Sequence, residues 1–458
     1  MHRDFFICLF TYRSIVKFRR IILNNSEKGL KQVSHLKAAV LGLQHLLAMY
    51  SGDIIVPLLI GAFLHFNAAQ MTYLVSADIF MCGIATLLQL KRTPITGIGL
   101  PVVLGCAVQV ITPLETIGGT LGVTYIYGAI ICSGLFVFLI SGLFSKLRRF
   151  FPPVVTGSLI TIIGFSLVPV AVQDLGGGDA TAKTFANAQN LTVGLVTMVV
   201  VLLINIFGKG FLRSISVLVG MIVGTGLAGA MGMISLSSVS SASWFKLPQP
   251  FYFGTPHFSW SAILTMILVS LTTMVESTGV FLALGDLTGR KLSSKELAKG
   301  YRAEGIAAML GGIFNTFPYS TFSENVGVVQ LSGIKTKRPI YYAGLFLLIL
   351  GLLPKVGAFA TVVPSSVLGG AMIVMFGMVG VQGIRILQQV DFNKNANLLI
   401  VAIAVGSGIG VTVYPQIFSS FPKAAQIILD NGIVVGGFMA VLITVLFSIS
   451  GQIKLDKE

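Results

Sequence analysis

Glu276 sits inside a long apolar run, Ser270-Leu-Thr-Thr-Met-Val-Glu276-Ser-Thr-Gly279, with no basic residue within a helical turn. An ionisable group in apolar surroundings is costly and marks a binding or transport site, or else a structural residue bonded to small polar neighbours. Glu324 stands in Asn315-Thr-Phe-Pro318-Tyr-Ser-Thr-Phe-Ser323-Glu324-Asn325-Val-Gly327. Pro318 suits an extended lead-in. Glu324-Asn325 would then open a half-helix whose free N–H groups and positive dipole end favour a polar or anionic guest, unless Glu324 is only a first-turn residue. The segment Thr96-Gly-Ile-Gly-Leu-Pro101-Val-Val-Leu-Gly105-Cys-Ala-Val-Gln109 is rich in Gly and Pro. Such backbone can leave N–H and C=O groups free to meet a ligand, or can permit close helix packing. His45 could exchange protons near neutral pH or be a satisfied core histidine. Glu304 follows a basic stretch and reads as a relay facing the cytoplasm or a salt-bridge partner near Arg302. Asp78 reads as a helix-packing residue, and Asp53 and Asp286 lie nearer span ends. Two carboxylates facing a Gly-rich backbone suit a planar ligand with several N–H donors, because a carboxylate accepts two adjacent N–H bonds at once. A nucleobase fits that description, and so do other polar solutes.

The elements that must position these residues are membrane helices. Of 458 residues, 54% are hydrophobic and 10% charged, against about 25% charged in an average soluble domain. The mean hydropathy is +0.89. This excludes a water-soluble enzyme, a disordered chain and, despite the net charge of +15, a nucleic-acid-binding domain; surplus Lys and Arg in a membrane protein collect in cytoplasmic loops. Cys8, Cys82, Cys106 and Cys132 show no paired or metal-type spacing, so neither a disulfide framework nor a metal site is expected. A span needs about 20 apolar residues, so the length allows on the order of fourteen. The unbroken apolar runs 342–353 and 433–448 favour helices over a barrel.

Candidate spans lie near 38–62, 71–90, 95–113, 121–145, 153–173, 192–208, 214–235, 262–285, 303–315, 318–334, 340–353, 365–388, 397–414 and 431–450. The spans at 95–113, 303–315 and 318–334 are short or interrupted. With the N-terminus inside, outward loops hold only Lys183, Lys246, Lys355 and Lys423 of the 31 basic residues. The clusters Lys91–Arg92, Lys146–Arg149, Arg290–Arg302 and Lys335–Arg338 fall inside, so both termini are expected in the cytoplasm. Residues 1–30 carry no signal-peptide cleavage pattern and read as a cytoplasmic tail that lies on the membrane surface.

The chain also repeats itself. The stretch from Gly134 through Gly142-Leu-Phe-Ser-Lys146 resembles that from Leu345 through Gly351-Leu-Leu-Pro-Lys355. Phe151-Pro152-Pro-Val-Val-Thr-Gly157 likewise resembles Val363-Pro364-Ser-Ser-Val-Leu-Gly369. Lys146 is assigned inside and Lys355 outside, so the repeat is inverted, the architecture of secondary transporters with broken helices near the midplane. Broken span three should pair with span ten. No His-Glu-x-x-His, phosphate-binding loop or nucleophile elbow is present. An enzyme is therefore not expected, and an ion gradient is the default energy source.

Glu324-Asn325-Val-Gly327-Val-Val-Gln330-Leu-Ser332-Gly333 resembles the ten-residue motif of the nucleobase–ascorbate transporter family, Gln/Glu/Pro-Asn-x-Gly-x-x-x-x-Thr-Gly/Arg/Lys. Gln44-His45, Glu276 and the Gly-x-Gly-Leu-Pro run at 97–101 match further family positions, and the resemblance covers nearly the whole chain after residue 35. It is strongest to the bacterial xanthine permease branch, with urate permeases close by.

The resemblance implies an all-α integral membrane fold of 14 transmembrane segments in a 7+7 inverted repeat, with short extended strands in spans 3 and 10. It implies a cytoplasmic tail 1–35, core-domain parts 36–150 and 261–360, gate-domain parts 151–260 and 361–450, and a tail 451–458. A homodimer through the gate domain in a bacterial plasma membrane follows, with membrane lipid and a purine nucleobase as the other partners. Glu276 and Glu324 would bind the base, with backbone near Ala107, Val108 and Ser323. Gln44, His45, Asn325, Glu304, Gly327, Ser332 and Gly333 would support or couple. No cofactor is implied; H⁺ is the expected coupling ion, with Na⁺ as the alternative. Ser332 stands where the family usually has Thr, Glu324 where many xanthine and urate carriers have Gln, Val108 where several relatives have Phe, and Val280 where relatives often have a polar residue. Gly333 resembles purine members, whereas uracil members often carry Arg. The expected function is proton-coupled import of xanthine, with urate as the further candidate. The rivals are a uracil or other nucleobase symporter, an anion exchanger of sulfate-permease-like fold, a membrane-embedded enzyme and a passive channel.

Overall fold

A computed structural model describes residues 33–147 and 152–452. The expected N-terminal tail as far as residue 32, Arg148, Arg149 and Phe151 of the sequence features above, and the last residues of the C-terminal tail lie outside the described residues.

The chain is mostly helical. In order it forms α1 (His35–Phe63), α2 (Ala68–Leu90), β1 (Leu104–Cys106), α3 (Ile111–Leu121), α4 (Val123–Leu147), α5 (Pro153–Ser166), α6 (Val168–Leu175), α7 (Ala188–Phe207) and α8 (Ser216–Ala230). There follow α9 (Trp260–Thr288), α10 (Ser294–Ile313), β2 (Tyr319–Thr321), α11 (Glu324–Ser332), α12 (Arg338–Gly351), α13 (Pro354–Thr361), α14 (Ser365–Leu387), α15 (Asn395–Val413), α16 (Lys423–Leu429) and α17 (Gly432–Ile449). Among the described residues nine helices are long and apolar enough to cross a membrane, with α5 and α6 taken as one helix over Pro153–Leu175, or ten if α12 and α13, which meet at an 82° bend, count as one span.

Local chemistry sets the helix starts. Asn67 and Gln70 form a reciprocal capping box at α2, and Ser293 and Glu296 form another at α10. The second box moves a boundary. Residues 290–302 read as a basic loop followed by a short span at 303–315, yet the helix begins at Ser294, so Lys295, Lys299 and Arg302 are helical. Glu296 then gathers Arg92 (2.5 Å) and Arg290 (2.9 Å), and Arg290 donates to the Gly99 carbonyl (2.9 Å), tying the 91–103 segment to the start of α10. Likewise the span expected at 95–113 runs on to Leu121, as an irregular lead-in, a strand and a short helix.

Contacts between helices fall into two sets. In one, α10 packs on α4, and α12 on α1 and α2. In the other, α14 packs on α5, α6 and α7, α15 on α17, and α8 on α7. Helix α9 touches both, through α4 on one side and α5, α16 and α17 on the other. Small residues permit the closest approaches. A Cβ at Gly164 of α5 would fall 2.1 Å from the Gly380 nitrogen of α14 and 2.7 Å from the Phe376 carbonyl oxygen. Gly164→Val should therefore force α5 and α14 apart. Overpacking of this kind costs about 1–3 kcal/mol. The detergent-solubilised variant should melt several degrees below wild type in a thermal-aggregation assay; an unchanged melting temperature would show that this crossing tolerates a side chain.

Candidate functional site

The two interrupted segments meet. β1 and β2 pair antiparallel, with Leu104 opposite Thr321, Gly105 opposite Ser320 and Cys106 opposite Tyr319. The ladder extends at both ends, through Ala107 N–H to the Pro318 carbonyl (3.0 Å) and Phe322 N–H to the Val103 carbonyl (3.1 Å). A strand pair inside a lipid-embedded protein leaves edge groups that water cannot satisfy. Here side chains satisfy them. Thr86 of α2 bonds both backbone groups of Leu104, its hydroxyl accepting from N–H at 3.0 Å and donating to the carbonyl at 3.3 Å. Asp53 of α1 accepts the Cys106 N–H at 2.7 Å.

A cleft of about 40 Å³ opens beside the pair. Val108 and Gln109 reach it from the segment after β1, Glu276 from α9, and Phe322, Ser323 and Glu324 from the segment after β2. Met375, Phe376 and Val379 of α14 form the opposite, apolar wall. Gln109 is the pivot of its polar side: its Nε2 donates to Glu276 Oε2 (2.9 Å) and to Thr273 Oγ1 (2.9 Å). One oxygen of Glu276 is thus held while the other remains for a guest. Glu324 is the first residue of α11, and its Oε2 accepts from the Ser323 hydroxyl at 3.4 Å. Two acceptor-only groups and an aromatic ring then line one small space.

The other expected site residues fall into three places. Asn325 is buried and bonds α11 to α1, its Nδ2 donating to His45 Nδ1 (3.0 Å) and to the His45 carbonyl (3.1 Å). Those bonds assign His45 the neutral tautomer with its proton on Nε2. His45 is 2% exposed, and Gln44 beside it is half-buried. Ala107 is buried with its N–H committed to the ladder, so it is not on the cleft wall. Glu304 is buried on α10 beside Ser277 of α9, and the Ser277 hydroxyl accepts from Thr321 of β2 (3.2 Å). Gly327 is half-buried along α11, with open space around it. Ser332 and Gly333 end that helix, and Gly333 has a φ of 63°, the left-handed cap that favours glycine. The cleft therefore gathers Val108, Glu276, Ser323 and Glu324, whereas Ser332 and Gly333 lie at the far end of α11.

Gln109, Phe322 and the α14 wall were not singled out from the sequence. Gln109 did carry a signal, as a lone amide closing the Gly- and Pro-rich segment. Met375, Phe376 and Val379 carried none, since apolar residues on a span look alike whether they face lipid, core or ligand. A larger cleft of about 270 Å³ lies between the start of α2 and residues 238–248. Lys246 there sits 5.1 Å from the centre of the Tyr252 ring, and among the described residues no carboxylate lines the space.

A family model described as a permease family matches residues 36–417. The chain is 50% identical over 418 residues to a xanthine permease of Bacillus subtilis, covering 91% of this chain and 95% of that one. It is 52% identical over 417 residues to the uric acid permease PucK of Bacillus subtilis, covering 91% and 97%. Among solved structures, murine Slc26a9, an anion transporter in the inward-facing state, aligns with a TM-score of 0.65 at 13% identity, covering 94% of this chain and 71% of that one. The transmembrane domain of the cyanobacterial bicarbonate transporter BicA aligns with a TM-score of 0.56 at 15% identity, covering 91% and 99%. At those identities the likeness is one of fold.

Proposed function

We propose, from the premise that this chain belongs to the nucleobase–ascorbate transporter family, that it imports xanthine by proton symport through alternating access. The protein is a multi-pass membrane transporter and not an enzyme. The observation that carries the substrate reading is the pair Glu276 and Glu324 on one cleft, with Gln109 fixing one oxygen of Glu276. Carboxylate oxygens accept from the adjacent N–H groups of a purine dione, and Phe322 offers a ring face. Asn325 and His45 hold the start of α11 in place, and Ser323 and the backbone near Val108 complete the seat. Glu276 is the binding and coupling carboxylate, and Glu304 supports it from α10. Urate is the further substrate candidate, favoured by the similarity to PucK.

Alternating access is supported by the size of the cleft. About 40 Å³ is a narrow space for a bicyclic base. Movement of the α14 wall away from α9 and the strand pair would widen it. The two sets of helix contacts suit such a movement, the set with α1, α2, α4, α10 and α12 as core and the set with α5–α8, α14, α15 and α17 as gate. Fourteen spans are reached when α8, α10, the bent pair α12–α13 and the two strand-bearing segments join the nine long helices. The antiparallel pairing of β1 and β2 suits an inverted 7+7 repeat, in which equivalent strands run in opposite directions. Cytoplasmic termini, residence in a bacterial plasma membrane, a homodimer through the gate and H⁺ rather than Na⁺ complete the reading.

The test is uptake of radiolabelled xanthine in cells lacking their own purine carriers. Concentrative uptake should appear, should vanish with a proton uncoupler, and should be competed by unlabelled urate but not by uracil. Uptake driven by Na⁺ alone, or transport of uracil or an inorganic anion in place of xanthine, would overturn the reading.

A further inference from the structure

We propose that Asp53 and Asp78, beside the strand pair on α1 and α2, hold one proton between them and form a second proton-holding site that couples to transport separately from Glu276. This deepens the proton-symport reading and rests on it. Asp53 lies on α1 and Asp78 on α2, each 0% exposed. A carboxylate oxygen of each and the Cys82 sulfur lie within 4.8 Å of one another.

The pair grips the strands from behind. Asp53 Oδ1 accepts the Cys106 N–H of β1 (2.7 Å), and the Cys82 thiol donates to the same carboxylate (3.1 and 3.2 Å). Asp78 Oδ1 accepts from the Tyr319 hydroxyl of β2 (2.9 Å). Cys106 and Tyr319 are register partners, so the two acids hold opposite strands at the same rung. Cys106 and Gly52, the neighbour of Asp53, both line the cleft. A change of charge at the pair is thereby passed through one rung to the substrate seat.

Two observations call for a proton. Asp78 Oδ2 is buried and has no hydrogen-bond partner, whereas Asp78 Oδ1 and both Asp53 oxygens are engaged. The titratable groups facing the pair are Tyr50 on α1, Cys82 on α2, Cys106 on β1, Tyr127 on α4 and Tyr319 on β2, and none of them supplies positive charge. Two carboxylates this close, out of water and without a cation, do not both ionise. One proton removes one charge and gives the orphan oxygen an occupant.

The test uses the purified full chain in lipid vesicles. Infrared spectra should show a protonated-carboxyl band at neutral pH that is lost in Asp78→Asn. Xanthine counterflow at equal pH should stay within about twofold of wild type, while accumulation driven by an imposed pH gradient should fall at least about tenfold. An unchanged carboxyl band, or accumulation that survives, would overturn the proposal. So would equal loss of counterflow and accumulation in folded protein, which a purely structural role produces. Should Asp78→Asn fail to fold, Asp78→Glu must shift the band; an unmoved band overturns the proposal equally. The infrared measurement needs no substrate, so failure of xanthine transport as such would strike the functional reading and leave the proton site to be decided.

Discussion

Glu276→Gln should reduce xanthine binding at least about tenfold and abolish concentrative uptake, with the protein still present in the membrane. One charge-assisted hydrogen bond to the base is at stake, to the oxygen that Gln109 leaves free, worth about 1.5–3 kcal/mol. Its loss corresponds to roughly one to two orders of magnitude in affinity. The scaffold should survive, because a glutamine carbonyl can still accept from Gln109 Nε2, which lies 2.9 Å from Glu276 Oε2. What disappears is the second acceptor, replaced by an NH₂ group that meets the base donor to donor. The check is equilibrium binding of radiolabelled xanthine to membranes, normalised by immunoblot. Affinity within about threefold of wild type would remove Glu276 from the site, since the loss of one charged bond alone exceeds that ratio.

The second large effect is expected where the strand pair meets the aromatic ring. A Cβ on Gly105 would lie 2.4 Å from Phe322 Cε2 and 2.9 Å from Asp53 Oδ1. Gly105→Val must therefore push the Phe322 ring into the cleft or lift β1 off α1. Overpacking costs about 1–3 kcal/mol where the neighbours can yield, and here one neighbour is a buried carboxylate already bonded to the next residue. Xanthine uptake should be lost with Val and should drop about tenfold with Ala. Phe322→Leu placed on Gly105→Ala should recover part of the uptake, since residues in direct contact couple in a double-mutant cycle. Full uptake in Gly105→Val, or no recovery in the double variant, would mean that the ring does not limit the seat.

These two positions differ in how they could be read. Glu276 was legible because a lone carboxylate in an apolar run has few tolerable surroundings. Glu324 was legible through Pro318 and the half-helix that must follow it. Gly105 belonged to a Gly- and Pro-rich stretch whose purpose stayed open between ligand contact and helix packing. It serves a third end, the close approach of a strand to an aromatic ring and a buried acid. Asp53 reads as a residue near a span end and Asp78 as a helix-packing residue, because a span drawn on a sequence has a middle and two ends but no neighbours. Asp53 looked near an end only until β1 was laid against it.

By itself, the sequence determined the membrane class, the mostly helical character, the interruption of the segments at 95–113 and 318–334, and the acidic candidates. Each of these rests on a property carried by contiguous residues: apolar run length, Gly and Pro content, and charge in an apolar setting. The tertiary structure alone decided which of those groups meet. It put Gln109 on Glu276, Asn325 on His45, Cys106 opposite Tyr319, and Asp53 beside Asp78, from segments far apart in the chain. It also set the apolar wall of Met375, Phe376 and Val379 across the cleft. The reason is physical: hydrophobicity acts on each residue wherever it stands, whereas hydrogen bonds, charge pairing and steric contact act over a few ångströms between partners that only folding brings together.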